Sequence, residues 1–191
     1  MLTAQKTEPI QSSLLGMILF ISSEIMFFGA LFGSYFTLRA TAAQWPPAGT
    51  PEIGPLPTAL FTIALVASSF TQHLGVVAIR KDDHAGLTRW MLVTIGLGAV
   101  FLLGQGLEYA SLAGEGFRLG SNVFATLFFA MTGFHGLHVL AGLAALAIVA
   151  VKSTRGHLSR RRHGAAEAVG YYWHFVDVVW IGLFATLYLL Q

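Results

Sequence analysis

Ionisable side chains inside long apolar runs are where this 191-residue sequence could do chemistry. Glu24 lies in Ser22-Ser23-Glu24-Ile25-Met26-Phe27-Phe28, and His135 and His138 lie in Gly133-Phe134-His135-Gly136-Leu137-His138. His174 and Asp177 lie in the run from Tyr172 to Trp180. If these runs cross a bilayer, a charged group at the centre costs about 2.5–3.5 kcal/mol on insertion scales, so each such residue calls for a role. Residues at i and i+3 share a helix face, so His135 and His138 could present two imidazoles to one metal ion or haem. His174 and Asp177 repeat that spacing, and a carboxylate can fix an imidazole's tautomer. The bare constellation fits a metal site, a proton relay or a polar seam between helices. The absence of cysteine and the supply of only two ligands by an i, i+3 pair weigh against metal. Apolar surroundings favour the neutral acid at Glu24 unless a partner holds its charge. A carboxyl bonded across helices and a proton-related role both satisfy that condition. Glu108, after Gly104-Gln105-Gly106, reads as a solvated or helix-bridging carboxylate, and His73 as a hydrogen-bonded structural histidine.

The elements that must position these groups follow from composition. Hydrophobic residues make up 55% of the chain and charged ones 10%, whereas a soluble domain carries charge at about a quarter of its positions. So little polar surface cannot cover a globule in water. Spanning a bilayer takes about 20 apolar residues in a helix, and five stretches qualify: about 13–38, 57–79, 90–112, 121–151 and 168–190. Backbone groups in lipid must be bonded internally, so each is read as a helix. Between them lie Trp45-Pro46-Pro47 with Pro51, Pro55 and Pro57, then Lys81-Asp82-Asp83-His84, then Gly114-Glu115-Gly116, then Lys152 to His163. Proline supplies the first break directly, because it ends helices. Residues 1–13 are polar and precede no small-residue cleavage site, so the first span is expected to be retained. With no internal repeat, residues 1–191 read as a single domain. The fold class expected is an all-α integral membrane protein, a bundle of five transmembrane helices.

Orientation follows from Lys and Arg in the short loops. Lys6, Arg80, Lys81, Arg89, Lys152, Arg155 and Arg160-Arg161-Arg162 make nine on one side, against Arg39 and Arg118 on the other. That places the N-terminus in the cytoplasm and the C-terminus on the outer side. The triple arginine is read as part of this topology signal, and contact with anionic headgroups is compatible with it. Gly29 and Gly33 form a G-x-x-x-G, and Gly133 and Gly136 share a side of the fourth span. Such sites let helices approach closely in lipid. Trp45, Trp90, Trp173 and Trp180 mostly fall near span ends, where amphipathic rings prefer to sit. No phosphate loop, nucleophile elbow, zinc-protease motif or basic–aromatic patch appears, so nucleic acid is not an expected partner.

The runs Thr132 to Val139 and Tyr172 to Trp180 strongly resemble subunit III of the haem–copper cytochrome c oxidases. Ser23-Glu24 with Phe27-Phe28, Trp45-Pro46-Pro47 and Glu108-Tyr109 follow in matching order, from about Gly16 to the end. Many members have seven spans, and this chain resembles the last five, as in the short bacterial form. Gly104-Gln105-Gly106 and Ala67-Ser68-Ser69-Phe70-Thr71 look most like actinobacterial aa-type oxidases. The resemblance implies a multi-pass protein of the bacterial cell membrane in aerobic respiratory electron transport. It implies a non-catalytic subunit beside subunit I, with subunit II and small subunits in the complex, supporting subunit I stability and proton uptake. Haem and copper belong to the partner subunits, with none in this chain, and structural phospholipids are expected. Membership of a respiratory supercomplex is compatible with it. By the same resemblance, Glu24 matches a buried carboxylate that reacts with hydrophobic carbodiimides. His135, His138, His174 and Asp177 match positions with a structural, hydrogen-bonding role. Lys152 or Arg155 lies near where members place a basic residue on a lipid phosphate. A quinol oxidase subunit III is the nearest alternative, and Glu24 in place of the Asp common there favours cytochrome c as donor. More distant alternatives are a di-histidine membrane cytochrome and a proton-coupled transporter using Glu24. The latter lacks the paired midspan helix interruptions such a fold needs.

Overall fold

A computed structural model describes residues 12–159 and 162–190. Its elements are α1 (Ser12–Thr41), α2 (Pro55–Ile79), α3 (His84–Gly114), α4 (Val123–Thr154) and α5 (Gly164–Phe184), the last continued by a π-helical stretch, Ala185–Leu189. All five are long and apolar enough to cross a membrane, so the chain is an all-helical, multi-pass membrane protein. Lys6, Arg160 and Arg161, three of the charges in the orientation count, lie outside the described residues.

The helices run past the apolar windows, because polar residues at the membrane boundary cap them as well as break them. The third was expected from residue 90 but starts at His84. Asp83 Oδ1 accepts the Gly86 N–H at 2.7 Å, satisfying a donor that the first turn leaves orphaned. The fourth starts at Val123 and not at 121, because Asn122 Oδ1 caps the Ala125 N–H at 2.7 Å. The fifth begins at Gly164, four residues before the apolar run.

Neighbours in sequence pack side by side from α2 to α5, and α5 also contacts α2, closing a four-helix unit. α1 lies outside it, against α5 and α4. Only 6% of the most apolar α1 window is buried, against 56% for α5. α5 is thus the central post, and α1 presents nearly all its apolar surface outward.

Two tryptophans of α5 organise the core. Trp173 and Trp180 are fully buried, so neither ring sits at the membrane boundary. The six-membered ring of Trp173 lies against Gly142 of α4 and Gly98 of α3, where a Cβ would come within 2.7 and 2.9 Å of it. Its indole N–H donates to Ser68 Oγ on α2 at 2.9 Å, so one side chain ties three helices to α5. The Gly29/Gly33 motif does not mark a contact within the chain. Among the described residues a Cβ at either position would meet nothing within 4 Å, because both lie on the outward-facing α1. Gly133 has only Tyr109 Oη near its absent Cβ, at 3.7 Å.

The first loop is fixed to α1 and, through it, to the π-helical stretch that continues α5. Trp45, which precedes a cis proline, donates its indole N–H to Tyr35 Oη at 3.1 Å. Tyr35 in turn donates to the Thr186 carbonyl at 3.0 Å.

Candidate functional site

Glu24 on α1 meets His138 on α4, with Oε2 2.8 Å from Nε2. The other ring nitrogen, Nδ1, lies 2.7 Å from the Phe134 carbonyl. A carbonyl can only accept, so Nδ1 carries a proton and donates it there. In the neutral imidazole Nε2 then has a lone pair and must accept from a protonated Glu24. In the imidazolium, Nε2 donates to the Glu24 carboxylate. Either way one proton lies between the two groups, and Glu24 has the partner that its apolar setting demanded. The rings of Phe27 and Phe28 lie 6.2 and 5.1 Å from the imidazole. The Glu24 and His138 side chains are each 17% exposed, at the seam between α1 and the four-helix unit. Tyr172 Oη donates to the His138 carbonyl at 3.0 Å, bracing the α4 backbone from α5.

His135 takes a different direction. It is fully buried, its ring 4.8 Å from that of Trp180 and 5.7 Å from that of Phe101. Neither ring nitrogen has a hydrogen-bond partner among the described residues. His135 and His138 therefore do not converge on one ligand, and among the described residues no three His, Asp or Glu side chains come together as a metal site would need.

His174 and Asp177 are joined through Ser69 of α2. Ser69 Oγ donates to Asp177 Oδ2 in a close hydrogen bond and lies 2.9 Å from His174 Nδ1. The hydroxyl has one proton and gives it to Asp177, so His174 donates its Nδ1 proton to the hydroxyl. The four residues grouped as one seam thus fall into three separate contacts. His138 holds α1, His135 packs among aromatic rings, and His174 with Asp177 holds α2. Interhelical hydrogen bonds in membranes contribute about 0.6 kcal/mol on average and up to about 1.7. Ser69→Ala removes both bonds of this group, so it is expected to lower stability by about 1–2 kcal/mol, read as a drop in Tm in detergent.

Glu108 bridges helices, accepting from Thr58 Oγ1 of α2 at 2.8 Å and from Tyr188 Oη at 2.7 Å. One turn away, Gln105 donates to the Thr132 carbonyl of α4 at 2.7 Å and to Tyr109 Oη at 3.2 Å. The Gln105 carboxamide lies against Gly136, where a Cβ would come within 2.9 Å of its Oε1. His73 is exposed and has no hydrogen-bond partner among the described residues, which corrects the structural bond expected for it. It lies near the end of α2, where an imidazole can reach the polar boundary. Lys152 and Arg155 are exposed at the end of α4 and, with Val151 and His157, line a shallow 350 Å³ groove.

A family model described as cytochrome c oxidase subunit III matches residues 2–191. The chain belongs to the cytochrome c oxidase subunit III family. Among curated relatives, "Cytochrome c oxidase subunit 3" of Thermostichus vulcanus is 46% identical over 177 residues, covering 92% of this chain and 86% of that protein. "Probable cytochrome c oxidase subunit 3" of Nocardia farcinica is also 46% identical, over 92% of this chain and 87% of its own length. The Corynebacterium diphtheriae protein named "Cytochrome c oxidase subunit 3" is 43% identical, with 92% and 87% covered. A subunit III is one component of an oxidase complex and not its catalytic chain. The interhelical contacts described above therefore belong to a membrane scaffold built to pack beside other subunits.

Proposed function

We propose that this chain is the non-catalytic subunit III of a proton-pumping cytochrome c oxidase in a bacterial cell membrane, supporting subunit I stability and proton uptake. Haem and copper reside in partner subunits. The N-terminus is cytoplasmic by the distribution of Lys and Arg. The observation that carries the reading is the Glu24–His138 pair, a carboxyl and an imidazole holding one proton between them at the α1–α4 seam. A group of that kind, placed at the edge of the bundle, can exchange a proton without a metal or a substrate of its own. Lys152 and Arg155 serve the scaffold differently, offering cationic heads at a span end where anionic lipid phosphates gather.

The di-histidine cytochrome reading has little support in the geometry. His138 has both ring nitrogens engaged, and His135 is enclosed between Phe101 and Trp180. The unbonded nitrogens of His135 are closed off by those rings, and the third candidate, His174, has its Nδ1 held by Ser69. Purification from the native membrane is expected to bring this chain out with haem-bearing subunits, while the isolated chain shows no absorption in the visible. Stoichiometric haem on the isolated chain would overturn the proposal.

A further inference from the structure

A cavity of 380 Å³ opens between α2 and α3 at the end where the first and third loops lie. None of the contacts described above fills it. Its mouth is flanked by Glu52 and Glu115, both exposed, and Glu108 lies deeper on the same wall. Glu108 meets two hydroxyl donors and no cation. Among the described residues no Lys, Arg or His lines the cavity. Further in, Gln105 forms part of the wall, with its carboxamide oxygen turned against Gly136 of α4. The remaining wall is aromatic and aliphatic, with Phe61, Phe101 and Trp180 contributing rings.

Each feature selects the same chemistry. The acceptors have an excess of negative charge, so an anion is excluded and a cation with donors is favoured. The start of α2 and the end of α3 meet here, and their opposite end charges offset each other, leaving the carboxylates to decide the sign. Aromatic faces attract cations and bind alkylammonium groups well where water is excluded. A bare metal ion would want several converging oxygens, whereas an apolar wall suits carbon. Leu107 beside the cavity is 67% exposed on the outer surface of the bundle, so an apolar tail could leave sideways. The volume falls in the range of small-molecule sites.

We propose that this cavity binds an organic ammonium ion, its cationic head between Glu108 and the aromatic wall. Such a head could belong to a membrane amphiphile or to a free amine from the aqueous side. Calorimetric titration of the full chain, purified with its partner subunits in a non-ionic detergent, tests this with three probes: hexyltrimethylammonium, choline and hexyl sulfate. Saturable binding of hexyltrimethylammonium alone assigns the site to an amphiphile, and binding of choline as well assigns it to free amines. Equal binding of hexyl sulfate, or no binding by either cation, overturns the proposal. Glu108→Gln keeps both hydroxyl contacts and removes the charge. It is expected to weaken binding at least about tenfold, since the charge-assisted part of the contact is lost. The double variant Glu52→Gln/Glu115→Gln alters only exposed rim residues, so it cannot act through misfolding, and it too is expected to weaken binding. Unchanged affinity in both variants also overturns the proposal.

Discussion

Truncating Trp173 to alanine is expected to destabilise the bundle by about 3–5 kcal/mol, the range for deleting a fully buried aromatic side chain. The reason is where the indole lies. Its six-membered ring is clamped between Gly98 and Gly142, and its N–H reaches Ser68, so α2, α3 and α4 all meet α5 through it. In lipid the hydrophobic effect does not hold helices together, and close packing with interhelical hydrogen bonds does most of that work. Removing the ring leaves a void that two glycines cannot fill. The reciprocal change makes the same point from the other side. Gly142→Ala puts a Cβ 2.7 Å from the ring, and overpacking of this kind costs about 1–3 kcal/mol. Because the two changes act on one contact, Gly142→Ala in a Trp173→Phe background is expected to cost less than in the wild type, with coupling of about 0.5–3 kcal/mol. Thermal unfolding in detergent, followed by near-UV circular dichroism, measures these variants together with Trp173→Phe alone. Strict additivity would show that the clamp is not the source of the effect.

What the sequence made legible follows the same physics. Five apolar runs of sufficient length are five helices, because lipid leaves the backbone few other ways to satisfy its hydrogen bonds. The ends were harder to read, since Asp83 and Asn122 look like breaks and act as caps. Which face of each helix is buried was not readable, because a uniformly apolar helix carries no stripe to separate a protein contact from a lipid contact. Gly29 and Gly33 were misplaced for that reason, and Gly142 was overlooked. Glu24 stood out because a carboxyl in an apolar run is costly, yet nothing in the sequence pointed to His138 as its partner. His135 and His138 share a face only loosely. Three residues advance a side chain to about 60° from the starting direction, enough on α4 to send one ring toward α5 and the other toward α1. Ser69 and Thr58 were missed because hydroxyls in apolar helices commonly bond their own preceding turn, as Ser34 and Thr37 do here. Nothing local distinguishes those that cross to another helix.

Glu24→Ala is expected to leave oxygen reduction largely intact while lowering the protons pumped per electron or the number of turnovers before activity is lost. On the function proposed above the redox centres lie in other subunits, so the loss of one carboxyl here does not remove a catalytic group. It does remove the partner of His138 Nε2, and leaving a polar group unpaired away from water costs about 1–3 kcal/mol. α1 touches the rest of the chain along little of its surface, so this pair is a substantial share of what orients it against α4. Glu24→Gln separates the two roles. Its carboxamide can still donate to the neutral imidazole, but it holds no proton that titrates. Recovery of pumping and turnover lifetime in the Gln variant would assign the pair to helix positioning. A defect equal to that of Ala, in a complex assembled with normal haem content, would assign it to proton handling. An oxidase that assembles normally with Glu24→Ala yet reduces no oxygen would contradict a supporting role altogether. His138→Phe supplies the converse. It should reproduce the Ala phenotype if the shared proton is the functional unit, because without the imidazole Glu24 has no base beside it to exchange with.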